Sequence, residues 1–154
     1  MEENIVFKLS KRSLERLKGV DPQLIVVVAK AIELTDIDFG IIEGLRTLEK
    51  QKELVASGAS KTLKSKHLEG KAVDLAAYLG KRLSWEITLY DNIADAMKKA
   101  AKEKGVAIRW GAAWHIPNIV EYEGTMQDAT NEYVDLRRSQ GKRPFIDGPH
   151  FELA

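Results

Sequence analysis

The spacing of apolar residues along the chain predicts five helices. Each begins at a side chain that can accept a hydrogen bond from the first helical turn. These capping residues are Ser10, Asp21, Thr47, Ser84 and Thr130. Proline follows Asp21, and proline is favoured in the first turn of a helix. The longest helix is predicted from Ser84 to about Lys104, where an apolar stripe recurs at helical spacing.

Four shorter segments predict strands, and their sequences are FGIIEGLR, AVDLAAY, VAIRW and HFEL. In the last of these, alternation places His150 and Glu152 on one face of the strand and the apolar residues on the other. Residues 111–128 show no clear period and predict a long loop. Helices separated from short strands indicate a small α+β fold.

Composition narrows the class of protein. The chain has 154 residues, which is the length of one ordinary domain. Its net charge of +1 gives no global signal for nucleic acid or an anionic membrane. It has no cysteine, so disulfides and thiolate metal sites are excluded. The segment LIVVVA is too short to span a bilayer, and the N-terminus lacks the apolar core of a signal peptide, so we expect a soluble cytoplasmic protein without stable membrane association.

Three side chains are candidates for a metal site. Asp74 lies in the apolar run AVDLAAY, where an ionised carboxylate is costly unless it is paired or coordinates a metal. A turn at Gly70 would bring His67 to the same side, and His150 is the natural third ligand. Two imidazoles and one carboxylate leave a tetrahedral zinc ion one open position for water, as in catalytic sites. Alternatively, His67 is a solvated loop residue and Asp74 pairs with a lysine, or His115 replaces one ligand.

The sequence also contains a candidate general base, Asp147. Asp147 lies three residues before His150, across Gly148 and Pro149, and this tight loop can place its carboxylate beside a metal-activated water. The alternative is a simple turn aspartate, since Asp-Gly is a common turn dipeptide.

Together these segments resemble the D-alanyl-D-alanine carboxypeptidase and VanY-type zinc peptidases. SKHLEGKAVD is similar to the signature S-x-H-x-x-G-x-A-x-D, and DGPH is similar to the second motif of that family. LRTLEKQ and RWGAAW are similar to its arginine segment and its aromatic-glycine loop. The order and the short length are most similar to phage endolysins of the L-alanyl-D-glutamate peptidase type, from about Phe7 to the C-terminus.

The resemblance implies the roles of specific residues. It implies one zinc ion held by His67, Asp74 and His150, with Asp147 as general base. It implies that Arg46 binds the substrate carbonyl or carboxylate and stabilises the oxyanion. From the residues alone, Arg46 is equally well explained as a salt bridge at a strand end.

The resemblance also suggests substrate contacts. Ser65 would orient the first histidine or bind substrate, and otherwise it is a loop serine. Trp110 and Trp114, in the aromatic-glycine loop, are predicted to contact substrate. Many relatives have an acidic residue where this chain has Ala113, so Ala113 is given no role, and residues 115–127 are given none. Carboxypeptidase members usually carry Glu at the position of Asp147.

The implied fold is a small antiparallel sheet with helices on one face and zinc on the open face, as in hedgehog and DD-peptidase domains. The implied function is a monomeric zinc endopeptidase that cuts the L-alanyl-D-glutamate bond of the peptidoglycan stem and lyses the host. We expect one catalytic domain over residues 1–154, no separate wall-binding domain, and release from the host cytoplasm by a holin. The basic residues Lys61, Lys64 and Lys66 could help on an anionic wall. The alternatives are a D-alanyl-D-alanine carboxypeptidase and a catalytically silent wall-binding module.

Overall fold

The computed structural model describes residues 6–60 and 62–154, so Lys61 of the basic loop lies outside the described residues. The helices are α1 (Lys11–Arg16), α2 (Pro22–Leu34), α3 (Leu48–Ala56), α4 (Ile87–Lys104) and α5 (Met126–Ser139). The strands are β1 (Asp38–Glu43), β2 (Ala72–Leu79), β3 (Arg82–Ser84), β4 (Ile108–Trp110) and β5 (His150–Leu153). Two short 3-10 turns occupy Lys66–Glu69 and Ile119–Glu121.

The first three helices begin where the sequence predicts. The side chains of Ser10, Asp21 and Thr47 each accept a hydrogen bond from a backbone N–H of the first turn. Such caps typically contribute about 1 kcal/mol each, because they satisfy donors that have no partner within the helix. The capping pattern therefore fixes where α1, α2 and α3 start.

Two predicted helix starts are wrong. Ser84 does not cap α4, because it lies in β3, which pairs with β2 through a two-residue turn at Gly80, where φ is +63°. Thr130 does not cap α5, because α5 begins one turn earlier. Its cap is Thr125, whose side chain accepts from the backbone N–H of Asp128 while the Asp128 carboxylate accepts from that of Thr125.

The sheet is antiparallel, in the order β1-β2-β5-β4, with β3 paired to β2. Val73 lies opposite Phe151, and Asp74 lies opposite His150. Because side chains alternate along a strand, the first pair faces the core and the second faces the other side of the sheet. The predicted small α+β fold with an antiparallel sheet is therefore confirmed.

The hydrophobic core lies between the sheet and two helices. Alternate residues of β2 and β5 are buried together with apolar side chains of α2 and α4, which also pack against each other. Fully burying one such side chain contributes about 1.5–3 kcal/mol relative to exposure. The helices therefore cover one face of the sheet and leave the face of Asp74 and His150 for polar chemistry. Within the described part of the chain, none of the helices combines the length and the apolar character needed to cross a bilayer.

Candidate metal centre and active site

Three side chains from separate elements converge on the open face of the sheet. They are His67 from the first 3-10 turn, Asp74 from β2 and His150 from β5, and one possible ligand atom from each lies within 4.8 Å of the others. The turn expected at Gly70 is present, with φ at +69°. A Cβ there would lie 2.4 Å from the carbonyl oxygen of Gly19, so only glycine fits.

The ring of His67 is held in one orientation. Its Nδ1 lies 2.8 Å from the carbonyl oxygen of Gly44. A carbonyl can only accept, so Nδ1 carries the proton and donates. Its Nε2 is buried and has no hydrogen-bond partner in the described part of the chain, although it lies 3.2 Å from an Asp74 oxygen. A buried nitrogen facing a carboxylate in this way matches the position of a metal ligand.

Asp74 and His150 are electrostatically coupled. The Nδ1 of His150 lies 3.2 Å from Asp74, and its Nε2 lies 2.8 Å from Glu152. Burial alone would lower the pKa of His150, but its hydrogen bonds to Asp74 and Glu152 outweigh this and raise the pKa to about 9. Burial alone would raise the pKa of Asp74, but its contacts with His150 and His67 hold that pKa well below its usual range. The Asp74 carboxylate therefore stays ionised.

The donor set fits a zinc ion. It offers two imidazole nitrogens and one carboxylate oxygen, and the chain has no cysteine to supply a thiolate. Imidazole favours zinc over hard ions such as magnesium and calcium. Three protein ligands leave a tetrahedral ion one position for water or substrate. The Nε2 of His67, which finds no hydrogen-bond partner among the described residues, is the atom that such an ion would satisfy.

Arg46 lies beside this group and is held on two sides. Its Nε and Nη2 donate to the two carboxylate oxygens of Glu43, each at 2.7 Å, and its Nη1 donates to Gln51 at 2.7 Å. Its Nη2 also lies 3.8 Å from an Asp74 oxygen. The hydrogen bond to Glu43 is the main reason that the pKa of Arg46 is raised. The guanidinium is thus a fixed cation beside the carboxylate of Asp74.

Glu43 has no predicted role in the sequence, and an irregular strand pairing places it here. Between Ile41 and Glu43 the register of β1 on β2 shifts, so that Glu43 lies opposite Asp74. A bulge of this kind turns a side chain to the other face of a sheet. Gln51, which belongs to the arginine segment noted above, is fully buried, and its amide donates to Ser60 and Thr62.

Asp147 enters the site from the loop before β5. Its backbone N–H donates to the carbonyl of Gly111 at 2.8 Å, and its carbonyl accepts from the N–H of His150 at 3.0 Å. A Cβ on Gly111 would lie 2.2 Å from that Asp147 carbonyl oxygen, so glycine is required. Burial first, and then the charge of Asp74, raise the pKa of the Asp147 carboxyl, while His150, His67 and Arg46 oppose the rise.

The two tryptophans that are predicted to contact substrate differ in their burial. Trp110 is fully buried, stacks on Phe151 and donates to the carbonyl of Gly148 at 2.8 Å. The prediction that it contacts substrate is therefore wrong, because its ring has no surface to offer. Trp114 is only partly buried, and its ring centroid lies 5.5 Å from that of His150 and 6.4 Å from that of Phe145. Together with Phe145 it forms an aromatic wall beside His150.

Two further candidates have clear positions. The hydroxyl of Ser65 accepts from the backbone N–H of His67 at 3.2 Å and caps the 3-10 turn. His115 lies outside the ligand group, and its Nε2 lies 3.0 Å from Glu132 while its ring stacks on Tyr133. The structure therefore gives His115 a structural setting and not a ligand position.

Comparisons with known proteins identify a family, two sequences and a solved structure that are similar to this chain. The family model described as phage L-alanyl-D-glutamate peptidase matches residues 5–154. The L-alanyl-D-glutamate peptidase of Escherichia phage T5 is 33% identical over 151 residues, which cover 96% of this chain and 98% of that protein. The L-alanyl-D-glutamate peptidase of Listeria phage A118 is 38% identical over 82 residues, covering 53% of this chain and 28% of that protein. The crystal structure of the Serratia marcescens L-Ala D-Glu endopeptidase ChiX superposes with a TM-score of 0.72 at 34% identity, covering 96% of this chain and 90% of that one.

Proposed function

Because this chain belongs to the phage L-alanyl-D-glutamate peptidase family, we propose that it is a zinc-dependent endopeptidase of the peptidoglycan stem peptide. The bond it cuts is the one between L-alanine and D-glutamate, and the biological result is lysis of the host cell. The observation that carries the proposal is the convergence of His67, Asp74 and His150, with the buried Nε2 of His67 unsatisfied among the described residues.

The side chains that would hold the zinc ion are His67, Asp74 and His150. A zinc ion bound there would supply Lewis-acid chemistry, by which a bound water becomes a nucleophile and the scissile carbonyl is polarised. The hydrogen bond from the Nδ1 of His67 to Gly44 leaves its Nε2 free to coordinate. The Asp74 carboxylate is already ionised, because its contacts with the two imidazoles lower its pKa.

Asp147 is the general base. It takes a proton from the attacking water at a carboxylate oxygen and passes that proton to the amine of the departing D-glutamate. A raised pKa suits both steps, because the carboxyl must accept the proton and then release it. A general base of this kind typically accelerates a reaction about 10²–10⁴-fold.

Arg46 binds the scissile carbonyl and stabilises the negative charge that develops on its oxygen. Glu43 and Gln51 hold the guanidinium in place before substrate arrives, so little reorganisation is needed at the moment of reaction. Trp114 and Phe145 supply an aromatic wall next to His150 for the bound peptide. Ser65 acts by capping the turn that carries His67.

The protein acts as a monomer whose catalytic domain itself recognises the wall. The partner is the stem peptide, reached from the host cytoplasm after a holin opens the membrane. Lys64 and Lys66 lie just before His67 in the chain, and their charges favour contact with an anionic surface. Lys66 also forms an ion pair with Glu152.

The experiment that tests the function is digestion of purified Gram-negative peptidoglycan, followed by mass spectrometry of the products. The expected products carry a new amino group on D-glutamate and leave lactyl-L-alanine on the glycan. Release of free D-alanine as the only product would replace the proposal with a D-alanyl-D-alanine carboxypeptidase. Wall binding by the zinc-loaded protein with neither product would identify a silent binding module.

A further inference from the structure

Glu152 links the two segments that carry the histidine ligands. One of its oxygens lies 2.8 Å from the Nε2 of His150, and the other lies 3.3 Å from the Nζ of Lys66. Lys66 is the neighbour of His67 in the 3-10 turn, and its ammonium also donates to the carbonyl of Leu153. The side chains of Glu152 and His150 are each only 11% exposed, so their contact is largely shielded from water, whereas the side chain of Lys66 is 38% exposed.

We propose that Glu152 is a positioning residue of the metal centre, which holds the proton of His150 on Nε2 and leaves Nδ1 for the metal. Through Lys66 it also ties the turn that carries His67 to β5. This inference rests on the zinc site of the proposed function, but it concerns residues to which neither the motifs nor the family comparison gives a role.

The chemistry of histidine ligands supports this assignment. A neutral imidazole has one N–H and one lone pair, so a carboxylate that accepts from one nitrogen directs the lone pair of the other outward. Metal-ligating histidines commonly donate their second N–H to a carboxylate, and loss of that partner typically costs about 10–100-fold in metal affinity. His150 has this arrangement, with Glu152 on Nε2 and Asp74 near Nδ1.

The geometry explains why Glu152 supports the metal centre and does not ligate the ion. His150 and Glu152 point to the same face of β5, and Glu152 lies two residues further along the strand than His150. Its two oxygens are directed at His150 and Lys66, and Glu152 is absent from the group of side chains whose donor atoms converge.

The first test measures zinc affinity by competition with a chelator. Glu152→Ala removes the acceptor, and we expect affinity to fall about 10–100-fold. Glu152→Gln keeps an oxygen that can accept from Nε2, so the loss should be smaller. Lys66→Met removes the second tie and should also weaken binding. Glu69→Gln is the matched control, because Glu69 lies in the same turn, its side chain is 62% exposed, and its ion pair with Lys71 spans 4.0 Å.

The second test uses the parent protein, so it does not depend on a variant that folds. In the zinc-loaded protein, ¹⁵N NMR of the histidine rings should show a proton on Nε2 of His150 and none on Nδ1. A proton on Nδ1 with coordination through Nε2 would overturn the proposal. A folded Glu152→Ala protein whose zinc affinity stays within about twofold of the parent would also overturn it. Failure of the parent itself to bind zinc is a different result, because it removes the metal centre of the proposed function and not only the role of Glu152.

Discussion

The Nδ1 of His67 lies 2.8 Å from the carbonyl oxygen of Gly44, and this contact determines which nitrogen of the ring faces Asp74. The same short loop also binds the turn of His67 through its backbone, since the N–H of Arg46 donates to the carbonyl of His67 at 2.9 Å. One loop therefore fixes the orientation of the His67 ring and carries Arg46 beside it. The imidazole of His67 and the guanidinium of Arg46 are therefore positioned by the same loop.

Removal of a histidine ligand should abolish metal binding. We expect about one zinc per chain in the parent protein, and loss of the ion in His67→Ala and in His150→Ala, because two ligands rarely hold zinc in a protein site. Elemental analysis of purified protein measures this directly. His115→Ala is the matched control and should keep its zinc, since His115 pairs with Glu132 away from the site. Loss of zinc only in the control would move the site to His115.

Asp147 should matter for the rate and not for the metal. Asp147→Asn keeps the size of the side chain but removes the base, so turnover should fall by about 10²-fold or more while zinc content stays at the parent value. Steady-state rates on purified peptidoglycan test the fall in turnover, and elemental analysis tests the unchanged zinc content. Asp36→Asn, at an exposed position before β1, should leave both unchanged. A nearly normal rate in Asp147→Asn would exclude Asp147 from the mechanism.

Glu43 should act through Arg46. Glu43→Gln weakens the paired hydrogen bonds that hold the guanidinium, and we expect kcat/KM to fall about 10–100-fold, since small displacements of a catalytic group have effects of this size. Zinc content should not change. In the background of Arg46→Ala, the same substitution should have little further effect, because the group it positions is absent. Additive losses in this double-mutant cycle would show that Glu43 acts independently of Arg46.

Asp91 should lower stability at neutral pH. It is buried between α4 and α5, where Thr130 donates to it at 3.1 Å, and burial raises its pKa. A carboxyl whose pKa is higher in the folded state binds more protons when folded. Its ionisation therefore reduces stability as pH rises from the unfolded pKa of about 3.9 through the folded pKa.

The substitution Asp91→Asn should consequently raise the thermal midpoint at neutral pH. The difference from the parent should vanish well below pH about 3.9, where the carboxyl is neutral in both states. Thermal unfolding followed by circular dichroism across this range measures it. If Asp91→Asn raises the thermal midpoint by the same amount in acid as at neutral pH, the stabilisation comes from packing and not from removal of the charge.

Local sequence signals predict much of this fold. Ser10, Asp21 and Thr47 are caps with short-range partners, and the alternation in HFEL sets the faces of β5. A local signal for the true start of α5 is also present, because Thr125 and Asp128 have the spacing of a capping box. The strand β3 has no such local signal, since it has only three residues and its position depends on pairing with β2.

The site shows the same division between local and long-range signals. His67, Asp74 and His150 could be named because one motif and one alternating strand carry them, and the turn at Gly70 is a local feature. The position of Glu43 follows from a register shift between two strands, which no local pattern reveals. Trp110 was misassigned for a related reason, because its hydrogen bond to Gly148 is formed across 38 residues.

The most direct test of the metal centre is anomalous diffraction at the zinc absorption edge from crystals of the zinc-loaded protein. We expect one strong peak, bonded at about 2.0–2.2 Å by the Nε2 of His67, a carboxylate oxygen of Asp74 and the Nδ1 of His150, with one position open. Asp147 and Arg46 should lie beside the ion without ligating it. A peak at any other group of side chains, or a site closed by a fourth protein ligand, would contradict the assignment of a catalytic zinc to His67, Asp74 and His150.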